Sequence, residues 1–417
     1  VKANHNVKFG LVGLEKIWQL VAGLLTLKIL SGYLGVSEFG IYQNATAVLV
    51  IATAATWLCP AEVLAGKFDG TNDLPKGLFQ TIFVLRIVIS LVIYLTIAAL
   101  TPMLYGADPR RYLLILLLCF SVVHVEPAGL LKFRLEAEGF LGRLSVLRMS
   151  TSVARLIAMK IATSTNAPTS AMIALLAAEQ VINSLAYYAF YIQQIGPLSI
   201  GLQFDRAVAI DTLKTGSRYW LGFVLMYCYL KFDRLFFSLR LPTDDFGIYT
   251  AGANMAEQVN SLGLMLVAVL APAAVYAKTK VESVDSFRKF VLAISGIGFA
   301  VAVLAYWLAP LIIDYIFGAK YDKSLLVFQA LVLLSPLAYL DAASSVLLFK
   351  FEKRRVFVLK SLTAFAVMAI TTVYLLPVLG WRAAAMGNGA ALLVNLLINY
   401  RFYKKISSEL VCQKRSA

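Results

Sequence analysis

Twelve apolar windows, separated by short polar breaks, fill almost the whole chain. They run over residues 10–33, 40–66, 78–104, 112–132, 142–163, 169–193, 216–240, 247–277, 288–316, 324–349, 356–378 and 382–402. A helix needs about 20 apolar residues to cross a bilayer, and each window is of that order. The windows are long and continuous and lack the alternation of barrel strands, so they read as helices. Of the 417 residues 60% are apolar and only 15% charged, and the mean hydropathy is +0.77. An average soluble domain carries about 25% charged residues and cannot hide this much apolar surface. A soluble enzyme, a disordered scaffold and a disulfide-stapled secreted module are excluded. The first window holds Glu15, Lys16 and Lys28 and lacks a small-residue cleavage site, so it reads as a retained span and not a signal peptide. Cys59, Cys119, Cys228 and Cys412 form no metal-ligand spacing, and His5 and His124 are the only histidines. Neither a disulfide framework nor a metal centre is expected.

The net charge is +15, from 38 basic and 23 acidic residues. In a soluble chain that balance points to nucleic acid; in a membrane protein it points to basic inner loops, and no nucleic-acid partner is expected. With the N-terminus placed in the cytoplasm, inner segments carry 22 Lys and Arg and outer loops 6. The asymmetry predicts that both termini are cytoplasmic. Ten basic residues then fall inside windows: Lys16, Lys28, Arg86, Arg148, Arg155, Lys160, Arg218, Lys231, Arg234 and Lys360. Some snorkel from span ends, Arg218 most clearly. At about 2.5–3.5 kcal/mol per cation at a lipid-facing helix centre, even half of them would cost on the order of 15 kcal/mol, more than a typical protein's stability. They must face a bundle interior or a wet cavity.

The two halves of the chain echo one another. Leu34–Tyr42 ends in Phe-Gly-Ile-Tyr, and so does Leu241–Tyr249, at an offset of 207. Pro60-Ala61 is matched by Pro272-Ala273, Leu100-Thr-Pro102 with Gly106-Ala107 by Leu308-Ala-Pro310 with Gly318-Ala319, and Leu130–Phe133 by Leu347–Lys350. Six spans per half is an even number, so both copies enter the membrane with the same orientation. The expected architecture is an all-α polytopic membrane protein of 12 transmembrane helices in two six-helix lobes, 1–205 and 206–417, around a central cleft.

With these residues in place, the chain resembles the Wzx-type O-antigen, or polysaccharide, flippases of the MATE-like MOP superfamily, which includes the MATE exporters and the lipid II flippase. The sharpest likeness is Phe232-Asp233-Arg234-Leu235 followed by Phe246-Gly247-Ile248-Tyr249-Thr250-Ala251, with Phe39-Gly40-Ile41-Tyr42 as the first-half partner. The resemblance implies translocation of an undecaprenyl-pyrophosphate-linked oligosaccharide, an O-antigen or capsule repeat unit, from the cytoplasmic to the periplasmic leaflet of the bacterial inner membrane. It implies membrane lipid as surroundings, and a polysaccharide polymerase and a chain-length regulator as partners.

A pyrophosphate needs fixed cations, which bind it well where the dielectric is low. Arg148, Ser152 and Arg155 lie at i, i+4 and i+7 and share a helix face; Tyr227, Lys231 and Arg234 have the same spacing; Lys28 stands within one residue of where the repeat places Arg234. Lys28, Arg155, Lys231 and Arg234, then Arg86 and Arg148, are the candidate substrate-binding cations. The competing expectation is that they pair with buried acids and hold helices together. Glu126, Asp341 and Glu257 are candidates for proton or cation coupling, since an acid held in a span can gain and lose a proton as access alternates. Asp233 reads as a structural partner to a neighbouring helix, and Pro60 and Pro272 as kinks or gates. Polar residues of the eighth span (Thr250, Asn254, Gln258, Ser261) suit a glycan path or interhelical hydrogen bonds equally. No Walker motif, nucleophile elbow or HExxH is present, so no catalytic role and no cofactor are expected. Polymerases and ligases typically present a long periplasmic loop that this chain lacks. An ion-coupled, MATE-like small-molecule exporter is the alternative, but export of cationic drugs calls for an acidic cavity.

Overall fold

In the computed structural model the described residues are 5–58, 76–106, 108–197 and 204–416. Among them the chain is helical throughout and contains no strand. Eight helical stretches are long and apolar enough to cross a membrane, or nine when one bent pair counts as a crossing. The chain divides into two compact units, Val1–Trp220 and Leu221–Ala417.

The N-terminal unit begins with α1 (His5–Thr56), which changes direction at Gly35 (φ 72°, ψ 177°). The sequence predicts a loop over residues 34–39; the structure replaces it with a break at one residue. A side chain at that φ would strain the backbone, and glycine does not. At 1.5 Å per residue the 52 residues of α1 would reach roughly 78 Å unbroken, far beyond the ~30 Å hydrocarbon core. The break yields two arms of bilayer length. Next come α2 (Lys76–Tyr105), α3 (Pro109–Cys119), α4 (Ser121–Leu135), α5 (Leu141–Ser164) and α6 (Thr169–Gln194). Asp108 caps α3, its carboxylate accepting from the backbone N–H of Arg110 and Arg111, with Pro109 as the first helical residue. A five-residue π-helical turn, Glu136–Phe140, joins α4 to α5.

From Arg206 the chain repeats this plan as α7 (Arg206–Ser238), α8 (Thr243–Ala271), α9 (Lys280–Phe317), α10 (Ser324–Val332), α11 (Ser335–Lys350), α12 (Arg354–Leu379) and α13 (Arg382–Ser416). The unit boundary lies within α7. The fourth window of each half is broken, at Phe120 in the first and at Leu333–Leu334 in the second, where α10 and α11 meet at 42°. The third helix of each half carries a proline near its end, Pro102 or Pro310, and is followed by a positive-φ glycine, Gly106 or Gly318. α13 runs well past the predicted end at 402. Pro272 stands at the end of α8, where it opens a π-helical turn, Pro272–Tyr276; Pro60 lies outside the described residues.

The cores match too. In the first unit, α2, α4 and α6 enclose Phe79, Ile82, Phe83, Leu130, Leu131 and Tyr187. In the second, the equivalent α9, α11 and α13 enclose Phe287, Phe290, Ile294, Tyr339, Leu347 and Phe402. The outer surface is as apolar as the core: Leu91, Val92 and Leu95 on α2, Phe299, Leu304, Trp307 and Leu311 on α9, and Ile370, Tyr374 and Val378 on α12 are all exposed. Such a surface is tolerable only against hydrocarbon.

Candidate functional site

The ionic interior of the N-terminal unit is built on α1, α5 and α6. Arg148 meets Glu15 through two parallel contacts, Nε to Oε1 at 2.6 Å and Nη2 to Oε2 at 2.7 Å. The Glu15 side chain is only 2% exposed. It also accepts from Ser145 Oγ at 2.5 Å and Gln19 Nε2 at 2.8 Å. Arg148 Nη1 lies 3.3 Å from Glu136, which Lys132 approaches at 3.6 Å. One turn further on, Trp18 Nε1 donates to Ser152 Oγ at 2.6 Å. Arg155 then places Nη1 2.8 Å from Glu179 Oε2 on α6 and donates from Nη2 to Thr26 Oγ1 at 2.9 Å. The face that Arg148, Ser152 and Arg155 share is thus zipped to Glu15, Trp18 and Thr26 of α1. Lys28, in the next turn of α1, is half-buried.

Arg86 of α2 is buried and donates from Nη1 to the main-chain oxygen of Glu126 on α4 at 3.0 Å, with the Glu126 carboxylate at 3.8 Å. Nearby His124 Nδ1 is 3.0 Å from Ser184 Oγ.

The C-terminal unit holds two clusters. In one, the carboxylate of Glu257 on α8 bridges two cations of α7: Lys231 Nζ at 2.5 Å and Arg234 Nη1 at 2.6 Å. Both cations are buried, yet the Glu257 side chain is 45% exposed. The Nε–H of Arg234 is buried without a hydrogen-bond partner. Asp233, between the two cations in sequence, accepts from Tyr249 Oη instead. That bond joins the two short motifs, Phe-Asp-Arg-Leu and Phe-Gly-Ile-Tyr. Gly252, on the same helix as Tyr249, lets α8 lie against the backbone of α10: a Cβ there would meet Ser324 O at 2.5 Å.

The second cluster centres on Asp341 of α11. Lys360 Nζ from α12 is 2.6 Å from Asp341 Oδ1 and donates to Ser345 Oγ at 2.5 Å. Asn399 Nδ2 from α13 reaches Asp341 Oδ1 at 3.0 Å and Ser344 Oγ at 2.7 Å. Glu126 and Asp341 lie in the fourth window of their halves, but their cationic partners come from non-equivalent helices, α2 and α12. The candidates drawn from the sequence omit Asn395 and Asn399, whose signal is available: two amides at i, i+4 in a largely apolar stretch.

Within each unit the candidate residues fall into separate groups. In the N-terminal unit Arg148 and Arg155 share one face, and Arg86 pairs with Glu126; in the C-terminal unit Lys231, Arg234 and Glu257 form one cluster and Asp341 sits in a second. Arg86, Arg148, Arg155, Lys231 and Arg234 each have a carboxylate within 4 Å. On α5 cations and acids are matched, Glu15 and Glu179 against Arg148 and Arg155. On the α7 face toward Glu257 two cations share one carboxylate. Among the described residues no group of three or more His, Cys, Asp or Glu side chains is arranged to hold a metal ion.

Comparison with known proteins places this architecture. Residues 29–326 match the polysaccharide biosynthesis protein family. The chain belongs to that family. Among curated proteins none matches its sequence closely enough to count as a relative. The fold is that of MATE transporters. An inward-facing multidrug resistance MATE family transporter of the MOP superfamily is 15% identical, with 94% of this chain and 96% of that one covered at a TM-score of 0.60. The eukaryotic MATE transporter AtDTX14 is 13% identical over 96% and 98%, at 0.62. The lipid II flippase MurJ, in an inward closed conformation, is 12% identical over 95% and 89%, at 0.55. These structural neighbours are described as transporters and a flippase, and what this chain shares with them is the fold.

Proposed function

We propose that this member of the polysaccharide biosynthesis family flips an undecaprenyl-pyrophosphate-linked oligosaccharide, an O-antigen or capsule repeat unit, from the cytoplasmic to the periplasmic leaflet of the bacterial inner membrane. The observation that carries the reading is the Lys231–Glu257–Arg234 cluster: two buried cations facing one half-exposed carboxylate, with an Arg234 N–H still unpartnered. In this reading Glu257 is a stand-in anion. A pyrophosphate, with more oxygens and more charge, displaces it from Lys231 and Arg234 through charge-assisted hydrogen bonds, and Glu257 turns toward water. Arg86, Arg148, Arg155 and Lys28 are the proposed substrate-binding cations of the N-terminal unit. Glu126, Asp341 and Glu257 are the proposed coupling acids.

The proposal includes two lobes, 1–205 and 206–417, twelve crossings and cytoplasmic termini. The long stretches Gly13–Thr56 and Pro109–Ser164 each have the length for two crossings, and α7 supplies one that its charges conceal. A polymerase and a chain-length regulator are the proposed partners.

The test is surface polysaccharide in cells that depend on this chain. Arg234→Ala, shown to be folded and membrane-inserted, is expected to abolish it. Normal polysaccharide from that variant overturns the proposal. The MATE-like fold supports a second reading, ion-coupled export of small molecules; there the same variant leaves polysaccharide intact and alters drug tolerance.

A further inference from the structure

A cavity of about 430 Å³ opens in the wall of the C-terminal unit between α9, α11 and α13, in the size range of small-molecule sites. It is lined by Leu340, Leu396 and Tyr403, with Arg288, Leu292 and Tyr400 at its rim. The rim is exposed and mostly apolar: Leu292 is 63% and Tyr400 61% exposed. On a chain with this outer surface, such a rim faces hydrocarbon, so an occupant enters from the bilayer and not from water.

The charge at the rim narrows the occupant. Arg288 is exposed, and no carboxylate pairs with it among the described residues. The same holds for Arg401 and Lys404, which follow Tyr400 on α13. Inside the bundle the rule is opposite, since the buried Arg86, Lys231, Arg234 and Lys360 all meet acids. An apolar slot with an exposed guanidinium at its mouth complements an acyl chain ending in a phosphate. Basic pockets between transmembrane helices bind anionic headgroups for this reason, and guanidinium matches phosphate oxygens in a bidentate way.

We propose that this cavity is a binding site for an anionic phospholipid, one acyl chain lying between α9, α11 and α13 and its phosphate on Arg288. The site is separate from the Lys231–Glu257–Arg234 cluster and does not depend on what the chain transports. Asn399 forms part of the cavity wall and donates both to Asp341 Oδ1 and to Ser344 Oγ, also in the wall. A seated lipid therefore buttresses α11 and α13, which carry Asp341 and its partner Asn399.

The experiment is native mass spectrometry of the full chain in detergent with phosphatidylglycerol, phosphatidylcholine or a polyprenyl phosphate added. One phosphatidylglycerol is expected to be retained roughly tenfold better than phosphatidylcholine, whose phosphate charge is offset by a choline ammonium that Arg288 repels. Arg288→Gln, a surface change that leaves the core intact, is expected to erase that preference. Leu396→Trp is expected to exclude both phospholipids by filling the slot. Equal retention of the two phospholipids, an unchanged preference in Arg288→Gln, or displacement of phosphatidylglycerol by equimolar polyprenyl phosphate overturns the proposal. None of these readouts involves transport, so they succeed or fail independently of the flippase reading.

Discussion

Arg148 and Arg234 are both arginines on a carboxylate inside an apolar bundle, yet their partners differ in one decisive respect. Glu15 is sealed, with Arg148 as its bidentate cation and two further donors. Glu257 is half exposed and held by two cations. Removing one partner of a sealed pair strands a charge at a cost of about 3–5 kcal/mol. Arg148→Ala is therefore expected to destabilise the protein by that amount, read from its unfolding midpoint in detergent. Arg234→Ala leaves Glu257 with Lys231 and with water on its exposed side, so no carboxylate is stranded. Its expected stability loss is smaller than that of Arg148→Ala, so a loss of transport from a folded, inserted variant reports on binding and not on folding. The helical spacing of Arg148, Ser152 and Arg155 makes their common face legible in the sequence. What lies opposite is not legible, because spacing along α5 carries no information about which helix packs on it. Glu15 lies 133 residues from Arg148 and Glu179 lies 24 from Arg155, on helices that only the fold brings near.

At the scale of the helix, apolar windows reveal where the elements are but not how they end or approach one another. The windows over 112–132 and 324–349 look unbroken, because hydropathy averages over a one- or two-residue break at Phe120 or Leu333–Leu334. The Gly35 break was hidden differently: the polar residues around it suggest a loop, whereas one positive-φ glycine makes the corner. Close approach is equally invisible. Gly252 reads as one small residue among several, but its Cα is pressed on the backbone of α10, which cannot rotate aside as a side chain does. Gly252→Ala is expected to cost about 1–3 kcal/mol, the usual penalty of overpacking, in the same unfolding measurement. The start of α9 makes a pH-dependent prediction. Thr279 and Glu282 form a capping box, Thr279 N and Oγ1 donating to Glu282 Oε2 at 3.1 and 2.8 Å. Those hydrogen bonds hold the Glu282 carboxyl below its ordinary range. A lowered carboxylate contributes stability above its unfolded value and loses it as pH falls through the folded one. Amide exchange in the first turn of α9 is thus expected to be protected at neutral pH and to lose protection in acid, corrected for intrinsic rates. Thr279→Val, which keeps the shape but removes the hydroxyl, is expected to lose protection at neutral pH already.

On the scale of the molecule, the duplication was the most informative thing in the sequence, and it reappears as physical structure. The Phe-Gly-Ile-Tyr motif is packed in both units, with Phe39 and Phe246 buried. The equivalent helix triplets α2–α4–α6 and α9–α11–α13 enclose equivalent cores. The ion pairs are arranged differently: Lys231 and Arg234 of α7 share Glu257, whereas Arg148 and Arg155 of α5 meet separate acids, Glu15 and Glu179. Repeated motifs in the sequence anticipate the repeated packing, but they carry no information about which acid meets which cation. The crossing count of the C-terminal unit turns on α10 and α11, which are 9 and 16 residues long. Together they extend roughly 37 Å along the helix axis, enough for a ~30 Å core despite the bend. If the pair is one crossing, the exposed Lys320 before it and the exposed Lys353 after it lie on opposite sides of the membrane. If it is a re-entrant loop, they lie on the same side. The basic run Lys350, Lys353, Arg354 and Arg355 puts the second position inside. In a chain whose four cysteines are replaced by serine, Lys320→Cys is expected to react with an impermeant maleimide from the periplasmic side. Lys353→Cys is expected to react only in inverted vesicles, and labelling of both positions from one side would make the bent pair a re-entrant loop and reduce the number of crossings by one.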